Sequence, residues 1–303
     1  MTSRRILLPI AASISLFVLP GCDRHRSDGA PASDEKNIVS YNAALSRVRL
    51  PSKLTVFGEV VPLDDADVRE RCERELYLNL QTPGQLILNI KRSGRYFTLF
   101  TTLAKEYGVP DDVRYLAVAE SALYMTRSQK DAVGLWQFLE GTARSYGLRV
   151  DDQVDERKHV EKSTRAALRY LKDAYRIFGS WTLAAASYNM GMEGVRSSLK
   201  TQHSTDYFST YLNDETSRYV PRIAVIKELM QHGDRYGLFI PDERRYADTG
   251  VRTVTEAGSV SDLAAWAKGH GCSYKDVKLL NPWILGTSLP HPRGRWEILL
   301  PEK

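Results

Sequence analysis

Apolar residues in this 303-residue chain recur every three or four positions from residue 65 to residue 232, the spacing that lines one face of a helix. Val68, Cys72, Leu76 and residues 78–80 predict a first helix that stops near Thr82-Pro83-Gly84. A short helix over 85–92 follows, and then one over 95–107 with Phe97, Phe100, Leu103, Ala104 and Tyr107 as a core stripe and Gly108 as its C-cap. The next helix opens at Pro110-Asp111, and Val113, Leu116, Ala117 and Glu120 share one of its faces. Three of those positions are apolar and the fourth is a carboxylate. A carboxylate on a packed face costs free energy unless it is paired, so Glu120 is either a structural ion-pair partner or a working group. From 122 to 138 the pattern is irregular. Helical spacing returns over 141–146, 160–178, 181–190 and 217–232. No strand-rich stretch interrupts this region, and its fold class is mainly α.

Beyond residue 252 the pattern changes. A short strand over 253–255, helices over 261–268 and 274–280, and a returning strand over 296–301 predict a small self-contained α+β module of βααβ order. Residues 50–63 are extended or looped, and the charged, unpatterned stretch 241–252 is a linker. At the other end, Arg4-Arg5 precede an apolar run that closes on Leu19-Pro20-Gly21-Cys22, an export signal too short for a stable membrane span. That ending resembles a bacterial lipobox, in which Cys22 carries the lipid and becomes the mature N-terminus; the plainer alternative is a cleaved signal with an incidental cysteine. Asp23 directly after it leaves the choice between inner and outer membrane open. The chain thus divides into a signal (1–21), a polar tether (22–49), a helical domain with an N-terminal extension (50–240), a linker (241–252) and the C-terminal module (253–303).

Charge narrows the partners. The formal net charge of +5 comes from 42 basic and 37 acidic residues; without 1–21, which hold Arg4 and Arg5, 40 face 37 for +3. This mild, dispersed excess suits an anionic polymer surface but is far from a nucleic-acid signature. With Cys22 lipidated, Cys72 and Cys272 are either a disulfide or two separate thiols in an oxidising compartment. No Cys/His set has metal-ligand spacing, and there is no glycine-rich phosphate loop or Ser/His/Asp arrangement, so no metal and no cofactor is expected.

Three segments in order, Glu120-Ser121, Gly134-Leu135-Trp136-Gln137-Phe138 and Ser187-Tyr188-Asn189, resemble the E-S, G-L-[MW]-Q-[FI] and A-Y-N motifs of the lysozyme-like lytic transglycosylases. Tyr146-Gly147-Leu148, Asp155-Glu156-Arg157 and Ser163-Thr164-Arg165-Ala166-Ala167 extend the match, and Arg95-Tyr96-Phe97 with G-V-P-D-D at 108–112 is similar to the family's membrane-bound D branch. Residues 253–303 resemble a LysM peptidoglycan-binding domain, with Glu256-Ala257-Gly258-Ser259 in place of its usual Gly-Asp-Thr loop.

The resemblance implies a lysozyme-like helical domain acting on peptidoglycan glycan strands. Glu120 would be the sole catalytic acid and then base. Ser121 and Gln137 would orient the acid or the acetamido sugar, Tyr188 would lie near the Glu carboxyl, and Asn189, Gly134 and Leu135 would shape the site. Trp136 is either a sugar platform or packing. Met190, Gly191 and Met192 are expected to pack a helix end. Product chemistry separates this reading from a hydrolytic muramidase on the same fold, and retention of Glu120 argues against a non-catalytic wall-binding lipoprotein. The expected place is the cell envelope, anchored to a membrane through Cys22.

Overall fold

The computed structural model describes residues 41, 43–247 and 250–302. Cys22, the signal and the tether up to residue 40 lie outside these residues. The chain divides into two units, Met1–Ser46 and Arg47–Lys303. In the first, residues 41 and 43–45 are helical. The second holds everything described below.

It begins with a hairpin, β1 (Leu54–Val56) and β2 (Glu59–Val61), paired antiparallel with Leu54 opposite Val61. Glu59 reaches from β2 to the start of a later helix, α6 (Trp181–Met190), where its carboxylate accepts from the Trp181 amide at 2.5 Å and from the Thr182 hydroxyl at 2.6 Å. An anion is favoured there because the unpaired amides of a helix N-terminus concentrate positive charge.

Helix α1 (Ala66–Gln81) starts under Asp65, whose carboxylate accepts from the amides of Asp67 and Val68. Helix α2 runs unbroken over Pro83–Tyr107, where the sequence predicts two helices with a break near residue 93. Gly94 explains the difference. A Cβ there would lie 2.6 Å from the carbonyl oxygen of Tyr246, so the glycine makes room for another segment and does not end the helix. Tyr246 donates its amide to the Lys91 carbonyl at 2.8 Å and lies against Lys91 and Arg95, so the predicted linker is fastened to α2 at this point.

Helix α3 (Val113–Ser121) buries Val113, Leu116 and Ala117 completely. Asp112 at its start does not cap it. Its carboxylate accepts from the Phe57 amide and the Lys227 ammonium, both at 2.7 Å, tying α3 to the hairpin and to a later helix, α8 (Asp214–Gln231). After α4 (Glu140–Ser145) and a 3-10 turn at Glu156–Lys158 come α5 (Val160–Phe178), α6, α7 (Met192–Gln202) and α8 (Asp214–Gln231). Helix α7 was not expected, because its apolar content is thin and Val195 is its one fully buried residue. Ala184, Ala185 and Ala186 have no exposed surface, which lets α6 lie in the middle of the bundle. No helix among the described residues is long and apolar enough to cross a membrane.

The C-terminal module pairs β3 (Val251–Glu256) antiparallel with β4 (Trp296–Pro301) around α9 (Leu263–Gly269) and α10 (Tyr274–Leu280). It is not self-contained. Its apolar cluster of Leu263, Val277, Trp283, Ile284, Trp296, Ile298 and Leu300 includes Val154, a residue of the helical domain. Cys72 is buried in α1, Cys272 is partly exposed in the module, and both are free thiols.

Candidate active site

A cleft of about 650 Å³ opens where the end of α3, the loop after it, the end of α6 and the first turns of α8 meet. Glu120 lies on its wall one residue before the end of α3. Burial lifts the pKa of its carboxyl from 4.5 to about 7, against the lowering effects of a Tyr219 hydrogen bond and the nearby Arg222 charge. The Tyr219 hydroxyl donates a short hydrogen bond to Glu120 Oε1. That phenol is itself pushed well above its usual range by burial and by the carboxylate, so it remains a donor.

The loop between α3 and α4 turns through left-handed backbone. Ala122, Leu123, Asp131 and Gln137 have φ of 52°, 53°, 60° and 48°, four of the six non-glycine residues so placed among the described residues. Concentrated strain of this kind persists only where the surroundings over-determine it, and here they do. Gln137 donates from Nε2 to the Gly134 carbonyl at 2.8 Å and to the Thr126 carbonyl at 3.3 Å. Ser121 donates from its hydroxyl to the Leu135 carbonyl at 2.8 Å. Gly134 has φ 89°, and a Cβ there would fall 2.1 Å from the Arg157 carbonyl oxygen. Only glycine fits that spot.

Arg157 closes the arrangement. It is 3% exposed, pairs with Asp155 at 2.8 Å, and donates from Nη1 to the carbonyls of Asp131 and Phe138 at 3.2 Å each. Those carbonyls bracket the second half of the loop. A planar donor fork with its own buried counter-ion suits this role, since it satisfies several acceptors from one fixed position.

The sequence-predicted residues separate into two sets. Glu120, Gln137, Tyr188 and Asn189 all line the cleft. Ser121, Gly134, Leu135 and Trp136 do not; they stand behind it and shape the loop. Trp136 has no exposed surface, donates from Nε1 to the Thr164 hydroxyl at 2.8 Å and packs on Phe100 at 5.1 Å between ring centroids. It is therefore packing, and the sugar-platform alternative falls because no face of the ring meets the cleft. Tyr188 carries Glu120 among the charges that raise its pKa, yet its hydroxyl donates to the Trp136 carbonyl at 2.7 Å. Asn189 accepts from the Thr216 hydroxyl at 2.7 Å and donates to Glu215 at 3.2 Å, joining α6 to α8. Met190 and Gly191 line the cleft as well as ending α6, while Met192 packs beside Tyr170 and Tyr188.

Tyr219, Arg222 and Glu215 on α8 and Lys130 on the loop also line the wall and belong to no motif, and Phe138, the last residue of the loop motif, lines it beside them. Tyr219 stands 99 residues from Glu120, and its only sequence signal is a tyrosine beside the apolar stripe of a predicted helix. Glu215 is the other carboxylate on the wall, 3.6 Å from Lys130. Asp131, the acidic residue of the loop after α3, is exposed and paired with Arg127. Among the described residues no group of three His, Cys, Asp or Glu side chains could hold a metal ion.

A helical domain with one desolvated glutamate in a cleft between loop and bundle is the arrangement that the lysozyme-like resemblance of the motifs implies. Residues 98–210 match the family described as Transglycosylase SLT domain, and residues 252–303 match the Soluble lytic transglycosylase C-terminal LysM-like domain. The chain therefore carries an SLT transglycosylase domain followed by a LysM-like module of the soluble lytic transglycosylase type. Membrane-bound lytic murein transglycosylase D of Escherichia coli (strain K12) is 30% identical to it over 221 residues, 70% of this chain and 47% of the relative. A putative tributyltin chloride resistance protein of Alteromonas sp. (strain M-1) is 29% identical over 102 residues, 33% of this chain and 49% of that one. The chain spans about half the length of these curated relatives. The matched segment 98–210 contains Glu120, Gln137, Tyr188 and Asn189 and ends before Tyr219 and Arg222.

Proposed function

We propose that this protein is a peptidoglycan lytic transglycosylase, cleaving the β-1,4 bond between N-acetylmuramic acid and N-acetylglucosamine without water. The observation that carries the reading is the Glu120 carboxyl, held by burial near pKa 7 beside a cleft of glycan dimensions. At neutral pH a substantial fraction is protonated and can deliver its proton to the leaving glycosidic oxygen. Departure of that oxygen leaves an oxocarbenium-like C1, which the substrate's own N-acetyl group stabilises. The Glu120 carboxylate, now accepting from Tyr219, takes the proton from the muramic acid 6-hydroxyl. Oxygen O6 bonds to C1, and a 1,6-anhydro end forms. Gln137, Tyr188 and Asn189 shape the sugar site, while Ser121, Gly134, Leu135 and Trp136 fix the loop behind it.

Glu215 favours a second reading, since a second carboxylate on the wall is what a hydrolytic muramidase needs to activate water. Its ties to Asn189 and Lys130 speak against that use. Mass spectrometry of digested sacculi decides: 1,6-anhydromuramic ends are expected, and reducing ends alone would establish hydrolysis instead. In the same reading residues 50–240 form the catalytic domain and 253–303 face the wall. The protein is exported and held in the cell envelope by a lipid on Cys22; Cys22→Ser should leave the membrane fraction, and a variant that stayed there would refute the anchor.

A further inference from the structure

We propose that the C-terminal module is a brace for the catalytic loop, so that its contribution is to turnover as well as to any contact with the wall. This rests on the reaction proposed above, and it adds a positioning role for a module whose family description names no contact with the catalytic site.

The module meets the helical domain along one edge. Ile284 pairs antiparallel with Val154, the Asp155 amide donates to the Trp283 carbonyl at 2.9 Å, and the Leu285 amide donates to the Gln153 carbonyl at 2.8 Å. Side chains seal the joint. His159 stacks on Trp283 at 5.6 Å, and the Arg149 guanidinium lies 5.3 Å from the Trp296 ring centroid. Val154 has no exposed surface and is counted with the module's own core.

The residue after Val154 is Asp155, which holds Arg157, and Arg157 holds the second half of the loop at both ends through the carbonyls of Asp131 and Phe138. A single short segment, 153–157, therefore has the module on one side and the Gln137 loop on the other. The Asp155 amide and the Gln153 carbonyl are bonded from the module, while the helical domain holds the same segment through the Glu156 amide to the Arg149 carbonyl at 2.8 Å and the Asp151 amide to the Val154 carbonyl at 2.7 Å, so the module shares the support of this segment. Loosening the joint lets Asp155 and Arg157 shift, and a small misplacement of Gln137 and Phe138 is felt where the sugar binds. Shifts on the order of 1 Å are known to cost catalysis up to about a hundredfold.

The test uses the full chain with two module-side variants, Ile284→Asn and Lys278→Met. Lys278 donates to the carbonyls of Ile284, Leu285 and Gly286, so its loss slackens the docking edge without emptying the core. Three quantities are read: amide exchange at Val133 and Phe138, which bond each other across the loop; exchange at Leu285; and kcat and KM on a short soluble glycan. In the brace, exchange rises about tenfold or more at all three amides, kcat falls about 5- to 30-fold and KM stays within about twofold. If Ile284→Asn unfolds the module, Lys278→Met carries the test alone. Faster exchange at Leu285 with Val133, Phe138 and kcat unmoved overturns the proposal, as does a defect seen on whole sacculi but not on the soluble glycan. A chain inactive on every glycan would instead fail the proposed reaction, and the exchange measurements would still judge the brace.

Discussion

A buried glutamate and a half-buried one face the same helix and meet opposite treatment. Glu75 on α1 is 2% exposed and lies between Arg218 and Arg222 at 3.0 and 3.1 Å. Glu120 on α3 meets Tyr219 from the same turn of α8. Residues 218 and 222 stack one above the other on a helix, while 219 points about 100° away. One stretch of α8 thus gives the first glutamate two cations and the second a neutral phenol. The first is fixed as a strut between α1 and α8. The second stays close to its protonation midpoint at neutral pH and is free to exchange a proton. Arg222 belongs to both sites: it pairs with Glu75 yet lines the cleft, and its charge acts to lower the Glu120 pKa.

The sharpest break of this contrast is Glu120→Gln. It should reduce release of soluble muropeptides by about 10³-fold or more while the fold survives. A companion effect runs the other way. Burial lifts Glu120 from 4.5 to about 7, so the folded chain keeps a proton there that the unfolded chain loses near pH 4.5. The stability this group contributes is complete below pH 4.5 and is lost as pH rises through about 7. Urea unfolding should therefore find Glu120→Gln more stable than its parent at pH 8, by on the order of 1–2 kcal/mol once partial exposure is allowed for, with the gap closing toward pH 4.5.

Removing the other glutamate's charge should act mainly on stability. Glu75→Gln leaves two arginines against an uncharged amide and should cost about 3–5 kcal/mol in denaturant unfolding. Arg222, released on its cleft side, should also lower the Glu120 pKa and move the alkaline limb of the pH–activity profile to lower pH. An unmoved limb would show that Arg222 stays parked without its partner.

Trp136→Phe should cost about 1–2 kcal/mol through the lost bond to Thr164 and the reduced filling, with KM for soluble glycan unchanged. A large rise in KM would return this ring to the sugar site. The smallest effect belongs to Tyr219→Phe. Its hydroxyl favours the carboxylate, so losing it should raise the Glu120 pKa and move the alkaline limb upward by under about one pH unit, opposite in sign to Glu75→Gln. The two variants together test whether α8 sets the proton affinity of the cleft.

How much of this was legible in the sequence depends on how far apart the contacting residues lie. Val113, Leu116, Ala117 and Glu120 are one helix face, and periodicity alone found the carboxylate on it. The ends of α5 and α6, at Gly179 and near Gly191, follow from local backbone preferences and were read nearly to the residue. The break expected between residues 92 and 95 fails for the opposite reason: the helix runs on through Gly94, and only the approach of Tyr246 reveals that glycine as clearance. Trp136 could be platform or packing until Thr164 and Phe100 closed around it. The module was expected to stand alone because a βααβ pattern carries no record of Val154, some hundred residues earlier, entering its core.

The sequence by itself determined most of the helices, the carboxylate on an apolar face, the motif loop and the βααβ tail, because each is written in spacings of a few residues that backbone geometry reads directly. Tertiary structure alone decided that Tyr219 is Glu120's partner, that Arg222 is divided between two glutamates, and that Arg157 pins the loop while the module holds the segment carrying it. Those are choices among charges and hydrogen-bond donors that share a face only after the helices pack, and no local spacing encodes which will meet.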